Sequence, residues 1–259
     1  MKFDLHVHTT YSDGLLKPQE VVDLAIKRNL QGISITDHDT VLGIEEAIDY
    51  SKKYKGFKII PGIELGSIFN NEEVHILGYN FDYKNEKIIS TTQKLVNSRL
   101  DRGIRIIEKL NSLGIHISLE DVMKHVSKNL LGRPHIARAM IDYKYVNNIG
   151  EAFDQYLNIG KPAYVERYHL SIEETIILIE NLGGISVLAH PGLLKDKSII
   201  DYCISKGISG IECIHSKHSL KEFLFYKEIA NREDLIITGG SDFHGDQMIL
   251  GDFYIENVL

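Results

Sequence analysis

Short apolar runs of strand length alternate with helical segments along this chain, and that alternation limits the fold more than any other feature. The run 3–7 reads as a strand. Pro18 then opens a helix carrying Val21, Val22, Ala25 and Ile26, at a position where its missing N–H costs nothing. Residues 33–36 are a second predicted strand and 44–54 a second helix, with further strands predicted at 58–61 and 74–79. From 85 to 168 the signals are helical. One helix runs through Leu95, Leu100, Ile104, Ile107 and Leu110 to a terminating Gly114. Ser118-Leu119-Glu120-Asp121 is a capping box that opens another, Arg133-Pro134-His135 opens a third, and 149–157 is a fourth. The alternation then resumes. Ser171-Ile172-Glu173-Glu174 caps a helix ending at Gly183, and strands are predicted at 185–189, 210–213 and 235–238. Seven β units split by a helical run predict an α/β chain with a parallel sheet, open or closed into a barrel. The expected division is a barrel domain over 1–84 and 169–259, with an inserted helical cap or substrate domain over 85–168.

Composition narrows the class. Hydrophobic residues at 43% and charged residues at 25% are those of a globular chain, not of a disordered or fibrous one. No apolar stretch reaches the roughly 18 residues of a membrane span, so no membrane partner is expected. The first residues carry no apolar signal region, and Cys203 and Cys213 are too few for a disulfide framework; a cytoplasmic setting is the expectation. A net charge of −7 argues against binding duplex DNA, while leaving room for a local basic pocket. The oligomeric state is not legible.

The unusual count is histidine, 12 in 259 residues, and half of these lie at predicted strand ends. His6 and His8 close the first strand, and Asp13 follows in a polar loop. His38 follows the second strand, Glu64 the third, His190 the fifth, and Asp242 and His244 the last. His75 fits less neatly, near the start of its strand rather than beyond its end. In a parallel α/β barrel, residues just past the strands converge on one rim. Six imidazoles and three carboxylates are too many for one tetrahedral zinc and suit two or three divalent ions such as Mn²⁺, Fe²⁺ or Zn²⁺. Glu64 is best placed to bridge two of them. His116, His125 and His169 lack this placement and are read as solvated.

These motifs resemble the PHP family, named for its polymerase and histidinol-phosphatase domains. The resemblance rests on His6-Val7-His8-Thr9-Thr10-Tyr11-Ser12-Asp13-Gly14, Ile35-Thr36-Asp37-His38-Asp39-Thr40, Pro61-Gly62-Ile63-Glu64, Val74-His75-Ile76-Leu77-Gly78, Ala189-His190-Pro191 and Gly240-Ser241-Asp242-Phe243-His244. It covers nearly the whole chain and implies a distorted (β/α)7 barrel with three metal ions. By motif, His6, His8, Glu64 and Asp242 would hold the first ion. Glu64 would bridge to a second, completed by His75 and His190. Asp13, His38 and His244 would hold the third. Asp13, where histidine is frequent in the family, together with Leu131-Gly132-Arg133-Pro134-His135 and Gly160-Lys161-Pro162-Ala163-Tyr164-Val165, resembles a subgroup of 3′,5′-bisphosphate nucleotide phosphatases and 5′→3′ exoribonucleases.

The chemistry so implied is phosphate ester hydrolysis by a metal-bridging hydroxide, because paired ions acidify water and neutralise the attacking and leaving oxygens. Expected substrates are nucleotides or short oligonucleotides, with phosphate as product. Glu64, Asp242, His190 and His218 are the expected catalytic groups. Arg133, at a helix N-terminus, is expected to grip phosphate, with His135, Lys161 and His218 as further substrate contacts. Asp4, Asp37 and Asp39 are candidates to orient the ligands. Arg99, Arg102 and Arg105 are read as one solvated basic face, and Glu212 as structural. Competing readings are a phosphomonoesterase on a small metabolite such as histidinol phosphate, a metal-bound module without catalysis, and amide or lactone hydrolysis.

Overall fold

The structure, a computed structural model, describes residues 1–70, 72–126, 130–245 and 248–256. Strand β1 (Phe3–Val7) leads into α1 (Pro18–Lys27), β2 (Gly32–Ile35) and α2 (Leu42–Ser51). A long β3 (Lys58–Phe69) then turns back into β4 (Glu72–Tyr79). Five helices follow: α3 (Glu86–Ser112), α4 (Leu119–Met123), α5 (Arg133–Asp142), α6 (Ile149–Ala152), which continues as a π-helical turn over Phe153–Leu157, and α7 (Ile172–Asn181). The chain closes with β5 (Ile185–Leu188), a 3₁₀ turn at Pro191–Leu193, α8 (Ser198–Ser205), β6 (Gly210–His215), α9 (Leu220–Arg232) and β7 (Ile236–Gly240).

The seven strands pair in sequence order, β1 through β7. The edges then meet: Val7 bridges Phe243 in parallel, and the His8 N–H donates to the Phe243 carbonyl at 2.9 Å. Closure demands glycine at the seam, since a Cβ added to Gly240 would lie 2.3 Å from that of His6. The result is a distorted (β/α)7 barrel.

Two differences from the sequence reading matter for the site. The third strand does not stop at Pro61 but runs on to Phe69, so Glu64 sits within a strand rather than after one. And β4 is antiparallel to both neighbours, β3 and β5. A strand that descends from the rim presents its early residues there, which is why His75 reaches the same place as groups near the ends of ascending strands. No helix intervenes between β3 and β4, so a hairpin, not a crossover, reverses the direction.

Apolar contact does not divide at residue 85. Ile88 and Leu95 of α3 pack in the main barrel cluster with Ile63, Leu65, Val74 and Ile76. Ile106, Ile107 and Leu110 of the same helix belong to a second cluster with Val122, Ile136, Met140 and Leu157. The buried stripe of α3 runs 88, 92, 95, 99, 102, 106, 110, the spacing of one helical face. Leu100 and Ile104, expected on that face, lie off it and are 38% and 37% exposed. Two of the stripe positions are Arg99 and Arg102, which apolar periodicity alone passes over.

Candidate metal centre

Residues two apart on a strand face the same side, so β1 and its extension send His6 and His8 into the barrel, where both are completely buried. Glu64 of β3 lies at the centre. Its Oε2 is 3.0 Å from His38 Nδ1, 3.3 Å from His8 Nε2 and 3.5 Å from His6 Nε2. Its Oε1 is 2.9 Å from His75 Nδ1 and 3.0 Å from His190 Nε2. Asp242, in the loop after β7, places Oδ1 3.4 Å from His6 Nε2 and 3.3 Å from His8 Nε2. Asp13 Oδ1 is 3.3 Å from His244 Nε2 and 3.8 Å from His8 Nδ1. The nine side chains expected as ligands therefore fall in one contiguous cluster. Donor atoms of His8, Asp13, His38 and His244 all lie within 4.8 Å of one another, as do those of His6, His8 and Glu64, and those of His38, Glu64 and His75.

Buried polar groups normally find partners, and here several do not. His6 Nε2, His8 Nε2, Asp13 Oδ1, His38 Nδ1, Glu64 Oε2 and His190 Nδ1 are all buried without a hydrogen-bond partner. Nitrogen and carboxylate oxygen donors left unpaired at this density fit divalent transition metals. The electrostatics agree. Burial opposes the charge on the His75 imidazole, yet Glu64 and Glu73 outweigh it and push the ring up to about 10. Burial likewise opposes charge on His244, and Asp13 and Asp242 push it up to about 10. The carboxylates call for compensating positive charge.

Hydrogen bonds fix the loops that carry these groups. Asp37 accepts from the Thr9 N–H at 2.7 Å, the Thr9 hydroxyl at 2.7 Å and the Ser12 hydroxyl at 2.6 Å, tying the β1 loop to the β2 loop. Asp4 accepts from the Ser241 N–H, the Ser241 hydroxyl and the Gly251 N–H at 2.9, 2.6 and 2.7 Å, and so anchors the loop bearing Asp242. Asp39 pairs with Arg99 at 2.6 Å and Arg167 at 3.0 Å.

The arginines correct the sequence reading. Arg99 and Arg102 are buried, and of the three on α3 only Arg105 is exposed. A cavity of about 150 Å³ beside the cluster is lined by Asp13, His38, Glu73, His75, Arg99, Arg102, Arg133, Pro134 and Phe153. Arg133 lines this cavity, paired there with Glu73 and donating to the Leu157 carbonyl at 3.2 Å. Burial disfavours charge on Arg102, and Arg99, Arg167 and Arg133 add to that, so its guanidinium is held well below its ordinary value.

Three expected contacts are placed differently. His218 uses both ring nitrogens on backbone: Nδ1 lies 2.9 Å from the Cys213 carbonyl and Nε2 accepts from the Gly192 N–H at 3.0 Å. It therefore has no free nitrogen for acid catalysis. His135 Nδ1 accepts from the Gly132 N–H at 3.0 Å, and burial holds the ring down at about 4. Lys161 is exposed and does not line the cavity beside the cluster. Of the histidines read as solvated, His116 is exposed, His125 pairs with Asp142 at 2.9 Å, and His169 is half-buried against the Gly66 carbonyl. Glu73, Arg102 and Arg167 were not singled out by sequence as site groups. The buried stripe of α3 is the signal that reaches Arg102.

A barrel rim so equipped defines a metal-binding α/β-barrel protein of hydrolytic type. The chain belongs to the PHP family: the PHP domain matches residues 4–166. It is 33% identical to a 5′-3′ exoribonuclease of Haemophilus influenzae over 94% of this chain and 90% of that protein. It is 32% identical to a 3′,5′-nucleoside bisphosphate phosphatase of Chromobacterium violaceum over 93% of this chain and 86% of that protein. Among solved structures, a Bifidobacterium adolescentis protein inferred to be a metal-dependent phosphoesterase superposes with a TM-score of 0.89 at 32% identity, covering 98% of this chain and 92% of that one. An amidohydrolase from Chromobacterium violaceum, solved with sulfate and no metal, gives 0.91 at 29% identity, covering 100% and 92%.

Proposed function

We propose that this protein is a metal-dependent phosphoesterase acting on nucleotides that carry 3′- and 5′-phosphates, or on the 5′ ends of short RNA. The observation that carries the reading is the inward-facing cluster around Glu64, several of whose donor atoms are buried without a hydrogen-bond partner, lying against a cavity lined by three arginines. His6, His8, Glu64 and Asp242 would hold one divalent ion, Glu64 with His75 and His190 a second, and Asp13 with His38 and His244 a third. Mn²⁺, Fe²⁺ and Zn²⁺ all suit these donors. When bound, such ions acidify water and neutralise charge on phosphate oxygens.

The chain's own residues do the rest. Arg133 and Arg102 offer planar donor forks to a phosphate beside the cluster, and Arg99, locked by Asp39, keeps that wall positive. Glu73 holds Arg133 in position. The helices from 85 to 168 act as a cap that narrows access to single nucleotides or a frayed strand end and excludes duplexes, which suits an acidic chain with only local positive charge. No described helix is long and apolar enough to cross a membrane, and a cytoplasmic nucleotide pool is the setting proposed.

The test is a product assay with adenosine 3′,5′-bisphosphate and a 5′-phosphorylated short RNA, in Mn²⁺. Release of phosphate or mononucleotides supports the reading. Hydrolysis of histidinol phosphate with neither nucleotide touched would replace it with the small-metabolite alternative.

A further inference from the structure

We propose that Glu212 and His215 of β6 are positioning residues for the metal centre, brought to one face by a β-bulge at Cys213. The inference rests on the reading of His6, His190 and Asp242 as metal ligands.

Residues three apart on a regular strand point to opposite faces. Glu212 and His215 nevertheless both point into the barrel, and both are completely buried. The pairing with β7 explains how. Glu212 lies opposite Thr238, Ile214 opposite Gly239 and His215 opposite Gly240, so Cys213 is an extra residue on the β6 side. An inserted residue of this kind reverses the alternation beyond it and re-aims the side chains that follow.

Glu212 and the re-aimed His215 each face a proposed ligand. Glu212 Oε1 lies 2.9 Å from His6 Nδ1. A carboxylate there holds the proton on Nδ1 and leaves the lone pair on Nε2, the nitrogen that faces Glu64 and Asp242 and lacks a hydrogen-bond partner. Glu212 Oε2 accepts from the His190 backbone N–H at 2.7 Å. His190 has φ of 26°, a conformation that non-glycine residues hold only when their surroundings impose it. His215 Nδ1 accepts from the Lys217 N–H at 3.1 Å, so its proton sits on Nε2. That nitrogen is buried without a hydrogen-bond partner and faces Asp242 Oδ2 at 3.5 Å, and Asp242 also has a positive φ, 55°. One strand thus holds the ring of one proposed ligand through His6 Nδ1 and the backbone of a second through the His190 N–H, and lies against the carboxylate of a third.

The experiment is chelator competition with Mn²⁺ and Zn²⁺ on the full chain, wild type against Glu212→Gln and His215→Gln. It is paired with nitrogen-15 spectra of the histidine rings in the Zn²⁺-loaded protein. Glu212→Gln should weaken metal binding about 10- to 100-fold and shift the His6 Nδ1 resonance, whose proton loses its carboxylate acceptor. Glu212→Asp, which keeps the charge, should recover part of both. His215→Gln should weaken metal binding while leaving the His6 Nδ1 resonance alone, and it carries the test should Glu212→Gln fail to fold. Unchanged affinity in both Gln variants, or an unchanged His6 Nδ1 resonance in Glu212→Gln, overturns the inference while leaving the metal reading standing. A wild-type chain that binds neither ion fails the metal reading itself and takes this inference with it.

Discussion

The Arg133 guanidinium is ion-paired with Glu73, across the cavity that also exposes His75 and Asp13. Removing the arginine therefore does two things: it takes away a donor fork, and it leaves a carboxylate facing the place proposed for phosphate. Arg133→Ala should raise KM or lower kcat/KM by about 1.5–3 kcal/mol, the range for a charged hydrogen bond. Metal content should not change. A substrate lacking the distal phosphate separates two roles, since the loss shrinks there if Arg133 grips that group and persists if it grips the scissile one. No loss on either substrate removes Arg133 from the site.

Protein prepared without chelator should carry more than one transition metal ion per chain by elemental analysis. Dialysis against a chelator should lower the melting temperature as well as activity, because ions that bind only the folded chain stabilise it. A metal-free sample with full activity and unchanged melting would end the metal reading.

Glu64→Gln should nearly abolish turnover with little change in circular dichroism. Glu64 faces five imidazoles through its two oxygens, and burial, which alone would raise its carboxyl, is outweighed by His38, His75 and His6, which hold it well below the usual range. A neutral amide is a poor bridge between cations. Activity near wild type would move the reaction away from this residue.

Arg99→Met should destabilise the fold by about 3 kcal/mol, since it strips one partner from a buried ion pair and leaves Asp39 with Arg167 alone. Arg105→Met, one turn and a half further along the same helix but exposed, should cost less than about 0.5 kcal/mol. Urea unfolding compares them directly; equal midpoints contradict the buried pair.

Cys203 should resist thiol reagents in the native protein. Burial pushes its thiol up to about 12, so at pH 8 the reactive thiolate is scarce as well as shielded. Colorimetric titration should find this thiol only after denaturation. Rapid labelling of the folded chain at Cys203 would contradict its burial.

Much of this was legible because barrels concentrate chemistry at strand ends. His6, His8, His38 and His190 announced themselves through apolar runs that stop just before or at them. Two limits were physical. His75 looked out of place because the letters of a strand do not state its direction; the reversal at β4 is set by a hairpin, and the same residues would read alike in either sense. Arg99 and Arg102 read as solvent-facing because a charge in a buried stripe is legible only once its surroundings are known, which for Arg99 means its partner Asp39, sixty residues away. Glu212 reads as structural, and what the sequence does not show is the bulge that turns it and His215 to one face, since regular alternation puts them on opposite sides.

The long helix α3 is rooted in both apolar clusters and shows no break between Glu86 and Ser112. At 1.5 Å per residue it is a strut of about 40 Å. The proposed cap, carried on such a beam, would be fixed at one side, unlike a lid on a loop hinge, and swinging it open would require breaking the helix between the two cores. Substrate would then enter by fitting the opening that exists. Turnover on small nucleotides is in that case insensitive to solvent viscosity wherever roof motion would have governed it, and selection falls on the width of the doorway.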